Sequence, residues 1–446
     1  MMWDESFQVS QPSGCMRTLL VNCGEVAHLS VGNLESPLSG VQLEDRDQLV
    51  HLSGMSILIE DGLIERIGPT TDLVAEFAPW FPGLDKSAET EVIDVGGKAV
   101  VPGFVDCHTH LVWAGDRAEE LALRLAGKTY RDIAAAGGGI SKTVIHTRGA
   151  PIEALVESGS RRILSAVSNG TTAVEAKSGY GLDVDSEVKI LEAISMIDRA
   201  SPCNITPTWL GAHDLPPDST RSDYVDQLTS DQLPIISELG LAKWADVFCE
   251  PGWFTPEETE EIVRAAADHD IGSRLHVDEF VDSGGLALAT ELGSASGDHV
   301  AYSNDESRHS AADGGTMQTF LPGTPYILGT DIVSLPIGKC IEEGWAFSTA
   351  TDFNPNCPII SLPFIGSLLS HRLGIDPIAS LISVTRNPAT TLFGEAEMRG
   401  VLAEGKPADL NVLWSSSADS WCQTPGSTPV SMTMIGGEVV NSNKVY

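Results

Sequence analysis

Hydrophobic positions fall into two textures along this chain. Residues 16–100 carry short alternating runs broken by turns, at 18–22, 56–61, 63–67 and 91–94. That is the two-residue period of half-buried strands. Asp61-Gly62 between two of these runs marks a hairpin. The other end repeats the texture, with strand-like runs at 409–414 and 431–440 around Gly436-Gly437. Two β-rich ends predict a small β-sandwich-like domain assembled from 16–100 and 386–446.

The middle, 101–385, reads differently. Candidate strands at 103–106, 172–176, 205–210, 244–248, 274–277, 296–299, 317–321 and 347–351 alternate with helical stretches at 151–168, 186–199, 220–239, 256–269 and 285–292. Eight such strands in this length predict an α/β fold, a (β/α)8 TIM-type barrel. An open dinucleotide-binding sheet is disfavoured, because no Gly-x-Gly-x-x-Gly follows the first strand. No internal repeat or low-complexity tract is evident.

Barrels of this type place their chemistry at the carboxyl ends of the strands, and there the polar residues cluster. Strand one ends in His108 and His110, which share a face because side chains alternate along a strand. Strand three ends in His213, strand five in His276 and Glu279, strand six in Asp298-His299, and strand eight in Asp352 and Asn354. Five of the 11 histidines sit at these ends. His108, His110, His276 and Asp352 are the expected metal ligands, three nitrogens and a carboxylate with a position left open, the pattern of a catalytic site. A bound metal lowers the pKa of its water toward about 7, and Asp352 is placed to take the proton. Glu279 is expected to shuttle protons to a leaving nitrogen and His299 to orient water or steady an oxyanion. Arg117, in the loop after strand one, suits bidentate capture of a substrate carboxylate. Tyr180 sits in a glycine-rich loop after strand two, where backbone can approach a ligand closely.

Composition narrows the setting. The 446 residues carry 62 acidic against 27 basic side chains, a formal charge of −35. That excess repels phosphates, so neither nucleic acid nor an anionic membrane is an expected partner. Lysines number 10 against 17 arginines, and such an acidic, lysine-poor surface suits either a salt-rich cytoplasm or a merely acidic mesophilic protein. The eight cysteines include no Cys-x-x-Cys pair, against a disulfide framework or a thiolate zinc site. Residues 1–14 are polar, without the apolar core of a signal peptide, and no apolar stretch is long enough to span a membrane. A cytoplasmic enzyme acting on a small molecule is the expectation.

The motifs together resemble the metal-dependent amidohydrolase superfamily and, within it, the imidazolonepropionase family. The resemblance is carried by Asp106-Cys-His-Thr-His-Leu-Val-Trp-Ala-Gly-Asp-Arg117, Ala136-Gly-Gly-Gly-Ile140, Glu175-Ala-Lys-Ser-Gly-Tyr-Gly-Leu-Asp183, Leu210-Gly-Ala-His213, Asp246-Val-Phe-Cys-Glu250, His276-Val-Asp-Glu-Phe280, Asp298-His299 and Thr351-Asp-Phe-Asn-Pro355. It runs from about residue 16 to the end, which makes 1–15 an N-terminal extension. It implies a barrel over 101–385 and hydrolysis of the cyclic amide of 4-imidazolone-5-propanoate to N-formimino-L-glutamate, a step of histidine degradation. It also implies one zinc or iron ion on His108, His110, His276 and Asp352, and commonly a homodimer. Substrate contacts carry over to Arg117, Tyr180, His213, Glu279 and Asn354, and the acid–base roles to Glu279 and His299. Where the family usually has glycine then serine or threonine touching substrate, this chain has Asn356 and Cys357. Those two are carried as substrate-binding positions that set affinity. The competing readings are another amidohydrolase, an aromatic deaminase or cyclic amide hydrolase acting on a carboxylate-bearing heterocycle, and a metal-free barrel used for binding.

Overall fold

The computed structural model describes residues 17–82, 90–128, 132–133, 136–217 and 219–443; the expected extension, 1–15, lies outside them. Eight parallel strands form one sheet in chain order: Phe104–Thr109, Thr171–Lys177, Asn204–Ala212, Trp244–Cys249, Gly272–Val277, Ser296–His299, Met317–Phe320 and Phe347–Thr349. Each overlaps one of the candidate strands. The first and last close on each other through backbone bonds: Asp352 N–H donates to His108 O (3.1 Å) and His110 N–H to Phe353 O (2.9 Å). The sheet is therefore a (β/α)8 barrel, and its closing seam brings His108, His110 and Asp352 side by side. The helices Ile152–Ser168, Val184–Ala200 and Pro256–Ala267 bury their apolar stripes against it.

Two further sheets come from the chain ends. One pairs Arg17–Cys23, Met55–Glu60, Leu63–Pro69 and Thr90–Asp94. The turn at Asp61 (φ 51°) and Gly62 (φ 81°) is left-handed at both positions, as a tight hairpin requires. The other is six-stranded and mixes the termini: Val26–Ala27, Val50–His51 and Val100–Pro102 with Leu410–Leu413, Val430–Ile435 and Glu438–Ser442. Leu20, Ile57 and Ile59 of the first sheet share a buried cluster with Val100, Leu410 and Met434 of the second. That is sandwich packing. Val100–Pro102 bonds to Leu410–Val412 and leads straight into the first barrel strand, so the sandwich anchors the strand that carries the two leading histidines. The helix Arg386–Leu392 packs on the barrel strands Phe104–Thr109 and Phe347–Thr349.

One buried histidine of the sandwich gives a stability test. His28 Nδ1 accepts from Ser30 N–H (3.2 Å), and its ring stacks on His51 at 4.4 Å. Burial, then His51, lowers its pKa to about 4. The unfolded chain thus takes up a proton between pH 6.5 and 4 that the native state refuses, so stability falls as pH is lowered through that window. His28→Gln is expected to flatten this acid limb by about 1 kcal/mol, read as a smaller loss of Tm between pH 7 and pH 4.5.

Candidate active site

At the carboxyl mouth of the barrel, three imidazoles and a carboxylate converge. His108 Nε2 and His110 Nε2 each lie 3.6 Å from Asp352 Oδ1, and His276 Nε2 lies 3.4 Å from His110 Nε2. Four ligands about 2.0–2.1 Å from one ion in a tetrahedron stand roughly 3.3–3.4 Å apart, so these donors have the spacing of a metal set. Among the described residues, His108 Nε2 has no hydrogen-bond partner though it is fully buried, which a ligand role explains. Burial first, then Lys177 and neighbouring histidines for His108, and His213 and neighbouring histidines for His110, hold both rings well below the ordinary histidine pKa. They are neutral, the form that binds metal. The residues present therefore fit a metal ion.

The ring orientations are set from behind. His108 Nδ1–H donates to Asp298 Oδ2 (2.7 Å). His276 Nδ1 lies 2.9 Å from Asp246 Oδ2, close but off the straight N–H line. These contacts direct each Nε2 lone pair toward the common point. Asp352 is held in a left-handed backbone conformation (φ 51°). Its Oδ2 accepts from the Thr324 hydroxyl and its Oδ1 from Asn354 Nδ2 (2.9 Å). Burial raises its pKa to about 7 against those two hydrogen bonds, and a cation among the imidazoles would pull it back down.

A cavity of about 510 Å³ opens over this cluster, within the range of small-molecule sites. On its polar side stand Glu279 and His299, with Oε2 to Nε2 at 3.6 Å. Burial first, then Asp352 and Glu250, drives the Glu279 carboxyl well above its ordinary pKa. The preceding Asp278 fixes its loop, accepting from Gly285 N–H (3.0 Å), Leu286 N–H (3.1 Å) and the Ser303 hydroxyl (2.6 Å). Arg117 also faces the cavity, held by Glu120 Oε2 through Nε (2.9 Å) and Nη2 (2.7 Å). Glu120 Oε1 in turn accepts Gly139 N–H (2.8 Å), tying the glycine run 137–139 to the arginine.

Tyr180 and His213 complete that side. His213 Nδ1–H donates to Gly179 O (2.9 Å), and its ring stacks 5.0 Å from His110. Burial, then His276, lowers its pKa to about 3, so it faces the cavity neutral. Gly179 has φ +102°, and a Cβ there would sit 2.9 Å from that imidazole. Any larger residue would push the ring away. Ile140, Phe248, Trp253, Phe280 and Leu328 form the apolar wall opposite.

Nearly every residue singled out from the sequence reaches this place. His110, Arg117, Tyr180, His213, His276, Glu279, His299, Asp352, Asn354 and Asn356 line the cavity, with His108 beneath it. Cys357 is a correction. Asn354 Oδ1 accepts the backbone N–H groups of Asn356 (2.8 Å) and Cys357 (2.9 Å), and this turn sends the thiol inward, fully buried and 3.7 Å from Thr351 O. Cys357 is therefore not a cavity residue. Asn356 stays at the rim, its Oδ1 accepting from Arg124 Nη1 (2.8 Å). Sequence reasoning missed the anchoring carboxylates Glu120, Glu187, Asp246 and Asp278; Glu187 accepts Gly179, Gly181 and Leu182 N–H to shape the tyrosine loop.

No family model matches the chain. Among solved structures, a triazine hydrolase variant superposes with TM-score 0.70 at 18% identity, over 96% of this chain and 95% of that one. The barrel fold is shared with that hydrolase, and at its mouth His108, His110 and Asp352, and likewise His108, His276 and His299, stand close enough together to hold a metal ion. Curated relatives narrow this. The imidazolonepropionase of Symbiobacterium thermophilum is 41% identical over 402 residues, 89% of this chain and 90% of its own. That of Geobacillus kaustophilus is 38% identical over 435 residues, 97% and 100%. The chain belongs to the imidazolonepropionase family and is a hydrolase.

Proposed function

We propose that this protein hydrolyses the cyclic amide of 4-imidazolone-5-propanoate to N-formimino-L-glutamate. The observation carrying the reading is one cavity lined by His110, His276, Asp352 and a buttressed Arg117, with the buried His108 Nε2 3.6 Å from Asp352 Oδ1. His108, His110, His276 and Asp352 would hold one zinc or iron ion, which when bound supplies Lewis-acid activation of water and of the ring carbonyl.

The chain's own groups do the rest. Arg117 binds the propanoate carboxylate, its fork pre-set by Glu120. Tyr180 and the neutral His213 pack against the ring. Asn354 and Asn356 steady the rim. Hydrolysis breaks the bond between the ring carbonyl carbon and its nitrogen; the water oxygen ends in the new carboxylate and a water proton on the departing nitrogen. Asp352 and Glu279 hold the protons in transit, Glu279 delivering one to the nitrogen. His299, 3.6 Å from Glu279, steadies the charge that develops on the carbonyl oxygen. The apolar wall excludes bulk water and strengthens each of these contacts. A cytoplasmic homodimer, with the barrel at 101–385 beside a domain from both chain ends, completes the proposal; among the described residues no helix is long and apolar enough to cross a membrane.

Arg117→Met tests the substrate assignment. Losing charge-assisted bonds to a carboxylate costs about 1.5–3 kcal/mol, so KM for imidazolonepropionate should rise roughly 10- to 100-fold while kcat changes far less. An unchanged KM would place the carboxylate elsewhere and favour a different heterocycle.

A further inference from the structure

Beneath the cluster lies a lysine that the proposed chemistry does not use. Lys177 ends the second barrel strand and is completely buried. Its ammonium donates to Asp246 Oδ2 (2.7 Å) and Glu175 Oε1 (2.8 Å), and stands 3.7 Å from Asp298 Oδ2. Asp246 is on the fourth strand and Asp298 on the sixth. The two aspartate oxygens it gathers are the same two that face ligand rings: Asp246 Oδ2 at His276 Nδ1 (2.9 Å) and Asp298 Oδ2 at His108 Nδ1 (2.7 Å).

We propose that Lys177 is a positioning residue of the metal centre, cross-bracing Asp246 and Asp298 so that His276 and His108 aim at one point. The inference rests on the metal-centre reading above. Glu175 carries the brace to the first strand as well. Its Oε2 accepts Thr109 N–H (3.3 Å) and its backbone carbonyl accepts the Thr109 hydroxyl (2.7 Å), at the residue between the two leading histidines. One ammonium thus ties the strands bearing His108, His110 and His276.

The electrostatics agree. A lone buried ammonium is strongly disfavoured, but here Asp246, Glu175 and Asp298 outweigh burial and keep Lys177 charged. The only other buried cation near these acids among the described residues, Arg274, donates to Cys107 O (3.2 Å) and is 3.9 Å from Asp298 Oδ1, on the far side of that carboxylate. It reaches neither oxygen that faces a ligand ring within hydrogen-bond distance. Without Lys177, Asp246 and Asp298 would repel each other and turn, and the imidazoles would follow.

The test measures metal affinity rather than turnover. Metal-free full-length protein, Lys177→Met and the charge-balanced double variant Lys177→Gln/Glu175→Gln are titrated with zinc against a chromophoric chelator, and with Co(II) for its visible ligand-field bands. Arg308→Met, which removes a buried cation hydrogen-bonded to Gln318 and Val300 O rather than to a proposed ligand or to Asp246 or Asp298, controls for a general loss of stability. Both Lys177 variants should bind zinc roughly 10- to 100-fold more weakly with altered Co(II) bands, while Arg308→Met lowers Tm and keeps wild-type affinity. Wild-type affinity and bands in whichever Lys177 variant folds would overturn the brace. So would equal weakening in Arg308→Met. A wild-type protein that fails to take up one ion would instead overturn the metal-centre reading beneath it.

Discussion

His110→Ala is expected to lose its metal ion and at least about four orders of magnitude in turnover while remaining folded. Removing His110 takes away the Nε2 that stands 3.6 Å from Asp352 Oδ1 and 3.4 Å from His276 Nε2, leaving three donors that no longer enclose a point. Lewis-acid stabilisation of a transition state is worth several kcal/mol, and about 5.5 kcal/mol corresponds to roughly 10⁴ in rate. The fold should tolerate the change. The His110 backbone N–H still closes the barrel on Phe353 O, and the lost ring contributed no side-chain hydrogen bond through Nδ1 among the described residues. Metal analysis and kcat on the same preparation check this. Full activity with metal retained would mean that the ligand set is misassigned.

Glu279→Gln is expected to act in opposite directions on activity and stability. The carboxyl sits 3.6 Å from His299 Nε2, and the neutral amide cannot accept and return a proton. A general acid–base group contributes roughly 10²–10⁴ in rate, so kcat should fall by that factor with metal content unchanged. Stability should move the other way. Burial, Asp352 and Glu250 raise the Glu279 pKa well above its ordinary value in the metal-free protein. A raised carboxyl pKa means that the unfolded chain releases a proton which the native state keeps, so the native state loses stability as pH rises from the unfolded pKa toward the folded one. Glutamine removes that penalty. Metal-free Glu279→Gln should therefore melt higher than wild type at pH 8, with the difference vanishing toward pH 4. Such a trade of stability for activity is common at active sites.

The parts of this molecule that were legible in the chain are those whose physics is local. The barrel strands are short segments that alternate regularly with helical stretches, and the Asp61-Gly62 hairpin announces itself by its turn residues. The proposed ligands were legible because the barrel puts strand ends together, so residues far apart in sequence, His108 and Asp352, become neighbours once the fold is known. The brace was not. Lys177 looked like the start of a glycine-rich loop, yet it is the last residue of a strand with its side chain turned into the barrel floor. Its partners Asp246 and Asp298 lie 69 and 121 positions away, and no local pattern encodes such pairings. Cys357 failed for a related reason: a turn closed by the Asn354 side chain decides which way the thiol points. The short helices Ile337–Glu343, Leu362–Leu368 and Pro377–Ser383 escaped because seven residues give too few turns for a clear 3.6-residue period.

The most direct test of the account follows the ultraviolet absorbance of 4-imidazolone-5-propanoate on adding protein carrying one equivalent of zinc or iron, with the product identified by mass. The absorbance should disappear catalytically and N-formimino-L-glutamate should accumulate in equal amount, with the rate abolished by a chelator and restored by metal. Protein that holds its one ion and leaves that absorbance at the uncatalysed rate would contradict the account.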